Sequence, residues 1–553
     1  MAEEKSSAAK LILGRLDEPL KVAALPTLIS IWMLFGPGMV WAGLSQGSGE
    51  LIWWPYMVTK YGLFFVGWLI IFAFLQLWYN QELGRYTVAT GESIFEGWHR
   101  IHHLFGWFMM IMAIVFFSWV GGYLGGAASA LAAVTNFPAG WSFTDQGRFW
   151  STILIIILFI LILLGPVAYR VVEVIESLAA VASAVGMLLA IVAVPAARAV
   201  VGEYFAALVT PRFSLTPPGF DLADTGILIT LIAYTGAGGF WNMAYSFWLR
   251  DANWGMAKHI GRVTSPVTGA PEAIPSVGVG FEPTEENVKA WKKWSLALWA
   301  DNLFGVVFNM ITIILTSILS YGILRPLYLA GKIEVPSGWK LVVVQGEWLG
   351  AAWGFVGRAI MLILGFFFLF DTFITAGDFF SRIIASNSYT NLAGKVKSLG
   401  WTWLGLFIPT VILMLPFSYD PKLISTNPAL GWGGVAIGVI YTIAVTAVAA
   451  YSAVRNWEYR KTYYAITVIF YIMGLAQLFL KKPGPLIILT GVTCMFIMVV
   501  ACWALLYLNW FHLPKIHPAK ENVRPSWIHF ILLLIVTLVF TWTFIWYLSV
   551  KFG

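Results

Sequence analysis

Three short stretches of this chain place oxygen-bearing side chains in or beside backbone that is poorly suited to a continuous helix. In Gly47-Ser48-Gly49-Glu50 a carboxylate follows two glycines, with Ser45 and Gln46 just before it. In Gly236-Ala237-Gly238-Gly239 the glycines lead to an amide, Asn242, by way of Phe240 and Trp241. In Asp371-Thr372-Phe373-Ile374-Thr375 a carboxylate and two hydroxyls stand at i, i+1 and i+4 of an apolar run.

Each glycine costs about 1 kcal/mol of helix stability relative to alanine, so the first two clusters predict helices that unwind midway. A break exposes orphan carbonyls on the preceding half, which suit a cation, and orphan N–H groups on the following half, which suit an anion. Glu50 could ligate a cation, carry a coupling proton, or cap its own half-helix. Asn242 could offer its amide oxygen to a ligand or make an interhelical hydrogen bond. Phe240 and Trp241 would either wall a site or simply pack. Gly47, Ser48, Gly49, Gly236 and Gly238 would present backbone groups to a substrate. Asp371, Thr372 and Thr375 could bind Na⁺ or relay a proton, because an ionisable group inside an apolar span is expensive to keep there. Asp378 shares the helix face of Asp371.

Other chemistries find no support in the residue pattern. No His or Cys spacing resembles a metal-hydrolase site, and neither a nucleophile elbow nor a phosphate loop is present, so an enzyme is not expected and no cofactor is implied. Without a nucleotide site, uphill transport would draw on an ion gradient. Cys494 and Cys502, eight residues apart in one apolar run, read as buried thiols.

The elements that must carry these residues are membrane helices. Of 553 residues 59% are hydrophobic and 11% charged, against about 25% charged in a soluble domain. Apolar runs fall at 26–61 (broken at 47), 63–83, 104–134, 150–168, 172–197, 225–249, 296–324, 351–381, 400–417, 427–454, 462–480, 484–510 and 527–550, each near the length that crosses a bilayer. The net charge of +7 lies in loops and is no signal for nucleic acid. Lys5, Lys10, Arg15 and Lys21, with Lys258, Lys289, Lys292 and Lys293, place the N-terminus in the cytoplasm by the positive-inside rule. No cleavable signal peptide is visible.

Residues 1–25 are expected to form a cytoplasmic segment with an interfacial helix near Leu11 to Leu20. The five runs within 26–200 would be a first five-helix repeat, and 201–250 an external loop and the broken sixth helix. A cytoplasmic loop at 251–294 would precede the rest of the second repeat, 295–455, and additional helices would fill 456–553. Breaks in the first helix of each half are what an inverted five-plus-five repeat predicts.

At this point the residues resemble a known family. Gly36-Pro37-Gly38, Tyr61-Gly62, Leu83-Gly84-Arg85 and Thr90-Gly91 are similar in order and spacing to Nramp divalent-metal transporters. The resemblance implies an all-α LeuT-type fold with unwound first and sixth helices, about 11–13 membrane helices in all. It departs where the metal would bind. The family's Asp-Pro-Gly-Asn falls on Gly47 to Glu50, so its Asp is absent and Glu50 stands at its Asn. Its Met-Pro-His-Asn falls on Phe240 to Met243, so the thioether that selects transition metals is also missing. Gly236-Ala237-Gly238-Gly239, Trp248-Leu249-Arg250-Asp251 and Trp254-Gly255-Met256 look like the divergent, Nramp-related bacterial branch. Gly47-Ser48-Gly49 also resembles the Gly-Ser-Gly break of amino-acid transporters in the wider superfamily.

The expectation is therefore a secondary transporter in a bacterial inner membrane. Its substrate would be a hard divalent cation such as Mg²⁺, with Glu50 and Asn242 as metal ligands. Two alternatives stand beside it. One is a small carboxylated solute coupled to Na⁺ or H⁺, and the other is a receptor or structural subunit that no longer transports.

Overall fold

A bilayer core offers no water to backbone groups, so a crossing segment must close its own hydrogen bonds, and helices do so. The computed structural model describes residues 14–28, 36–47, 49–164, 168–212, 214, 216–261, 274–275, 277–418 and 421–552, without the side chains of 162–180, 416–423, 430 and 552. Ser48 and the centre of the 251–294 loop lie outside the described residues.

Among the described residues the chain is all-α apart from one pair of two-residue strands. Its first half comprises α1 (Pro37–Ser45), α2 (Trp54–Tyr61), α3 (Trp68–Thr90), α4 (Ile94–Ile101), α5 (His103–Phe117), α6 (Gly121–Thr135), α7 (Phe143–Leu164), α8 (Ala168–Ala193), α9 (Pro195–Ala199) and α10 (Val201–Val209). There follow α11 (Thr225–Ala233), α12 (Gly239–Asp251), α13 (Glu285–Leu319), α14 (Arg325–Leu329), α15 (Glu347–Ser386) and α16 (Leu399–Ser418). The chain continues through α17 (Pro421–Thr426), α18 (Pro428–Arg455), α19 (Tyr459–Gln477), α20 (Pro483–Tyr507), α21 (Leu513–Ile516) and α22 (Trp527–Phe552). Each apolar run of the sequence holds a helix. Among the described residues, seven helical stretches are long and apolar enough to cross a membrane, and three shorter apolar helices accompany them.

Both glycine clusters interrupt helices. After α1 the chain turns at Gln46 and Gly47 and resumes as a π-helical turn, Gly49–Trp53, that runs into α2. Between α11 and α12, Gly236 and Gly238 take φ of +123° and +82°, values that residues with a Cβ rarely adopt.

Small residues bring the helices close, as expected where lipid supplies no hydrophobic drive to associate. On α6, a Cβ at Gly121 would collide with the Gly474 carbonyl of α19, and one at Gly122 would lie 2.7 Å from the Pro483 carbonyl of α20. Helix α15 is kinked at Trp353 and Gly354, where φ is −125° and +56°.

Over its described residues the N-terminal segment departs from the interfacial helix expected near Leu11 to Leu20, of which 11–13 lie outside the described residues. Residues 14–20 are not helical, and Lys21–Val22 (β1) pairs in parallel with Val279–Gly280 (β2). Its backbone groups are claimed by the bundle instead. The Leu16 N–H donates to the His99 carbonyl, and Arg100 donates to the carbonyls of Leu16 and Glu18 at 3.0 and 2.8 Å. Trp294 donates its indole N–H to the Pro26 carbonyl at 2.7 Å. Leu16, Leu20 and Leu25 are buried, so the segment lies laced across one end of the protein, here called the N-terminal face. Helix α13 also begins before the expected position, at Glu285. The Thr284 hydroxyl accepts from the Asn287 N–H as its cap, and Glu285 and Glu286 occupy the first turn.

Candidate functional site

The two breaks meet. A Cβ at Gly49 would collide with the carbonyl oxygen of Tyr234, and one at Gly47 with the hydroxyl of Thr372 on α15. Glycine at Gly49 lets the two unwound segments approach to backbone distance, and glycine at Gly47 makes room for the Thr372 side chain. Between them lies a small cavity lined by Leu44, Ser45, Gly49, Tyr123, Tyr234, Gly236, Ala237, Trp241 and Thr372. Its free space is about 10 Å³, room for about one water molecule.

Glu50 sits on the π-helical turn, fully buried. Its Oε1 accepts from the amide of Asn309 on α13. Its Oε2 and the Asn309 Oδ1 are both buried without a hydrogen-bond partner. Asn242, one turn into α12, donates from Nδ2 to Asn80 Oδ1 at 2.5 Å and to Gln76 Oε1 at 3.3 Å, and its Oδ1 is likewise unpartnered. Buried acceptors left without donors are uncommon and call for an explanation.

Gln76 of α3 holds the second break together. Its Nε2 donates to the Ala233 carbonyl at 2.7 Å, and its Oε1 accepts from the Gly238 N–H at 3.1 Å. One side chain therefore satisfies an orphan acceptor at the end of α11 and an orphan donor at the start of α12.

Two further carboxylates fasten the broken helices to each other, one at each end. Asp301 of α13 accepts from the Gly38 N–H of α1 at 2.9 Å and from the Tyr245 hydroxyl of α12 at 2.6 Å. Asp224, just before α11, accepts from Tyr56 at 2.8 Å, Lys60 at 2.8 Å and Tyr61 at 2.6 Å, all on α2.

The remaining candidates are placed as follows. Thr372 lines the cavity and donates to its own Phe368 carbonyl at 2.9 Å. Asp371 and Thr375 are buried on α15. Phe240 packs among Phe95, Phe116 and Phe117, whereas its neighbour Trp241 faces the cavity beside Tyr234 and Tyr123. Among the described residues the cavity lining does not include Glu50, Phe240, Asn242, Asp371 or Thr375. Asp378 belongs to a separate buried cluster, accepting from Arg382 at 2.9 Å and Tyr463 at 2.6 Å, while Arg382 also reaches Asp251 at 2.5 Å.

Residue spacing had not singled out Gln76, Asn80, Asn309, Asp224 or the roles of Tyr123 and Tyr234. Their one sequence signal is a polar group inside or beside an apolar run. Among the described residues no group of three or more His, Cys, Asp or Glu side chains is placed to hold a metal ion. Any cation here would be held by one carboxylate with amide and backbone oxygens.

No family model matches the chain, and no curated protein matches it. Among solved structures it is similar to the manganese transporter of Eremococcus coleocola. A glutamate-to-glutamine mutant of that protein aligns at 12% identity and a TM-score of 0.46, covering 97% of this chain and 99% of the other. A histidine-to-alanine mutant aligns at 12% and 0.44 over the same shares. A complex with an aromatic bis-isothiourea substituted compound aligns at 11% and 0.43, again over 97% and 99%.

Proposed function

We propose that the protein is a secondary transporter of a divalent cation, built as two inverted five-helix repeats (26–200 and 201–455) with the last helices, 456–553, added at the periphery. The observation that carries this reading is Glu50 with Asn309. A buried carboxylate oxygen of Glu50, at the start of an unwound half-helix, and a buried amide oxygen of Asn309, on the facing α13, both lack a donor, and a cation bound between them would satisfy both. The ligand set is all oxygen, which suits a hard ion such as Mg²⁺ that keeps part of its water shell. Glu50 is its charged ligand, the Asn242 oxygen lies on the opposing broken helix, and the N-terminal face is cytoplasmic. The cavity between the breaks, beside rather than around Glu50 and Asn242, has room for about one water molecule and little for an organic solute.

A second reading rests on the aromatic lining of Tyr123, Tyr234 and Trp241. In it a small carboxylated solute lies against the backbone of Gly47, Ser48, Gly49, Gly236 and Gly238, with Asp371, Thr372 and Thr375 binding the coupling Na⁺ or H⁺.

Thermal unfolding of the purified protein against divalent cations and small carboxylates separates the two. A ligand at a hundred times its dissociation constant adds about 2.7 kcal/mol to the folded state. Stabilisation by Mg²⁺ that Glu50→Gln removes, with matching loss of Mg²⁺ uptake into proteoliposomes, supports the first reading. Stabilisation by a carboxylate, with metals inert, supports the second, and inertness to both overturns each.

A further inference from the structure

Helices α16 and α18, with Trp457 just beyond α18, border a groove of about 530 Å³ lined by Leu399, Gly400, Trp403, Ala447, Val448, Tyr451 and Trp457. That volume falls within the about 300–1,000 Å³ of small-molecule sites, but the walls are apolar and aromatic and the surroundings face lipid. Ile408 and Ile412 on α16, and Ile440 and Ile443 on α18, are exposed. Gly400 contributes no side chain, and a Cβ there would meet no atom within 4 Å. Tyr451 and Trp457 stand edge to face with centroids 5.1 Å apart, and Trp403 stacks on Phe407 at 4.9 Å.

The chain at the mouth of the groove is basic. Residues 393–400 and 455–461 carry Lys395, Lys397, Arg455, Arg460 and Lys461 against a single acid, Glu458. Lys395, Lys397, Arg455 and Lys461 are exposed. The Arg455 guanidinium lies 6.0 Å from the centre of the Tyr451 ring, so positive charge sits directly over the aromatic wall. The turn that leads into this mouth is anchored at the N-terminal face: Asn387, just past the end of α15, meets the His99 ring at 2.7 Å, and the His99 carbonyl accepts from the Leu16 N–H.

We propose that this groove is a binding site for one anionic phospholipid of the leaflet at the N-terminal face. An acyl chain lies against Trp403, Tyr451 and Trp457, and the phosphate meets Lys397 and Arg455. An apolar, lipid-facing recess accepts an acyl chain, and the basic mouth selects a negatively charged headgroup over a zwitterionic one. Aromatic rings at headgroup depth are suited to the boundary between the two parts of the lipid.

The test uses the full-length protein in non-ionic detergent, incubated with phosphatidylglycerol or phosphatidylcholine of identical chains and read by native mass spectrometry. One retained phosphatidylglycerol per protein is expected, in preference to phosphatidylcholine. Lys397→Gln and Arg455→Gln should each weaken that preference about fivefold. Gly400→Trp, which fills open space at an exposed position, should abolish retention of either lipid. Unfolding midpoints measured alongside confirm that each variant is folded. Equal retention of the two lipids, wild-type retention in the variants, or a dimer mass that lipid does not dissociate would overturn the proposal.

Discussion

The polar atoms that matter most are single groups with no margin. If Glu50 holds the cation, Glu50→Gln keeps the shape but removes the charge and turns one acceptor oxygen into an amide donor. Mg²⁺-dependent uptake should vanish while the unfolding midpoint without metal holds or rises. Gln76→Leu should do the reverse, costing about 1–3 kcal/mol for each backbone group it orphans, seen as a lower midpoint whether or not metal is present. Glu50 and Asn242 were legible because glycines flank them, and a broken helix beside a polar group is a local pattern. Asn309 and Gln76 were not. Asn309 lies between Phe308 and Met310, and its partner Glu50 is 259 residues away, a distance at which no spacing rule applies. Asp301 could be read only as opening a span, because its bonds to Gly38 and Tyr245 exist only once three helices are packed.

At the scale of elements, the N-terminal face is held by ionisable groups outside the spans. Burial pushes the Glu92 carboxyl up, but the Arg100 guanidinium, at 2.6 and 2.7 Å, more than reverses this and holds it below the usual carboxylate range. The stability from that pairing is present above the ordinary carboxylate pKa and is lost as pH falls through the depressed one. Arg100→Leu strands a buried carboxylate and releases the segment laid across it. A loss of about 3–5 kcal/mol is expected, with faster proteolysis near Lys21. His517 donates from Nε2 to the Ala89 carbonyl at 3.1 Å and accepts at Nδ1 from the Ala519 N–H at 3.0 Å, so it is bound as the neutral ring. Burial pushes it down to about 4. Its contribution is therefore complete above the ordinary histidine value of about 6.5 and shrinks as pH falls toward 4. Unfolding midpoints measured from pH 7.5 to 4.5 should fall across this window, and His517→Gln should flatten the curve. The sequence marked the helices of this face but not the segment crossing them. Leu16 and Leu20 suggested an amphipathic helix, whereas the edge offered by Gly278 and Gly280 and the donors of Arg100 took up the backbone instead.

For the molecule as a whole, the helical course was the most legible feature, since apolar length alone dictates where a chain crosses a bilayer. What length cannot say is how the two broken helices are fastened, and there the structure is lopsided. The second carries Gln76 across its gap, joined to both half-helices. Beside the first, Gln46 accepts from Ser183 at 3.1 Å and leaves its own amide nitrogen without a partner, and Gln345 donates to the Leu51 carbonyl of the second half alone at 2.8 Å. One leaf of the door is thus clamped across its middle, whereas Asp301 and Asp224 grip the other near its two ends. Spin labels on α3 and α12 should keep a constant separation as the substrate cation is added or removed, while labels on α3 and α1 should not. Gln76→Leu should free the fixed leaf, so that the first separation begins to vary as well.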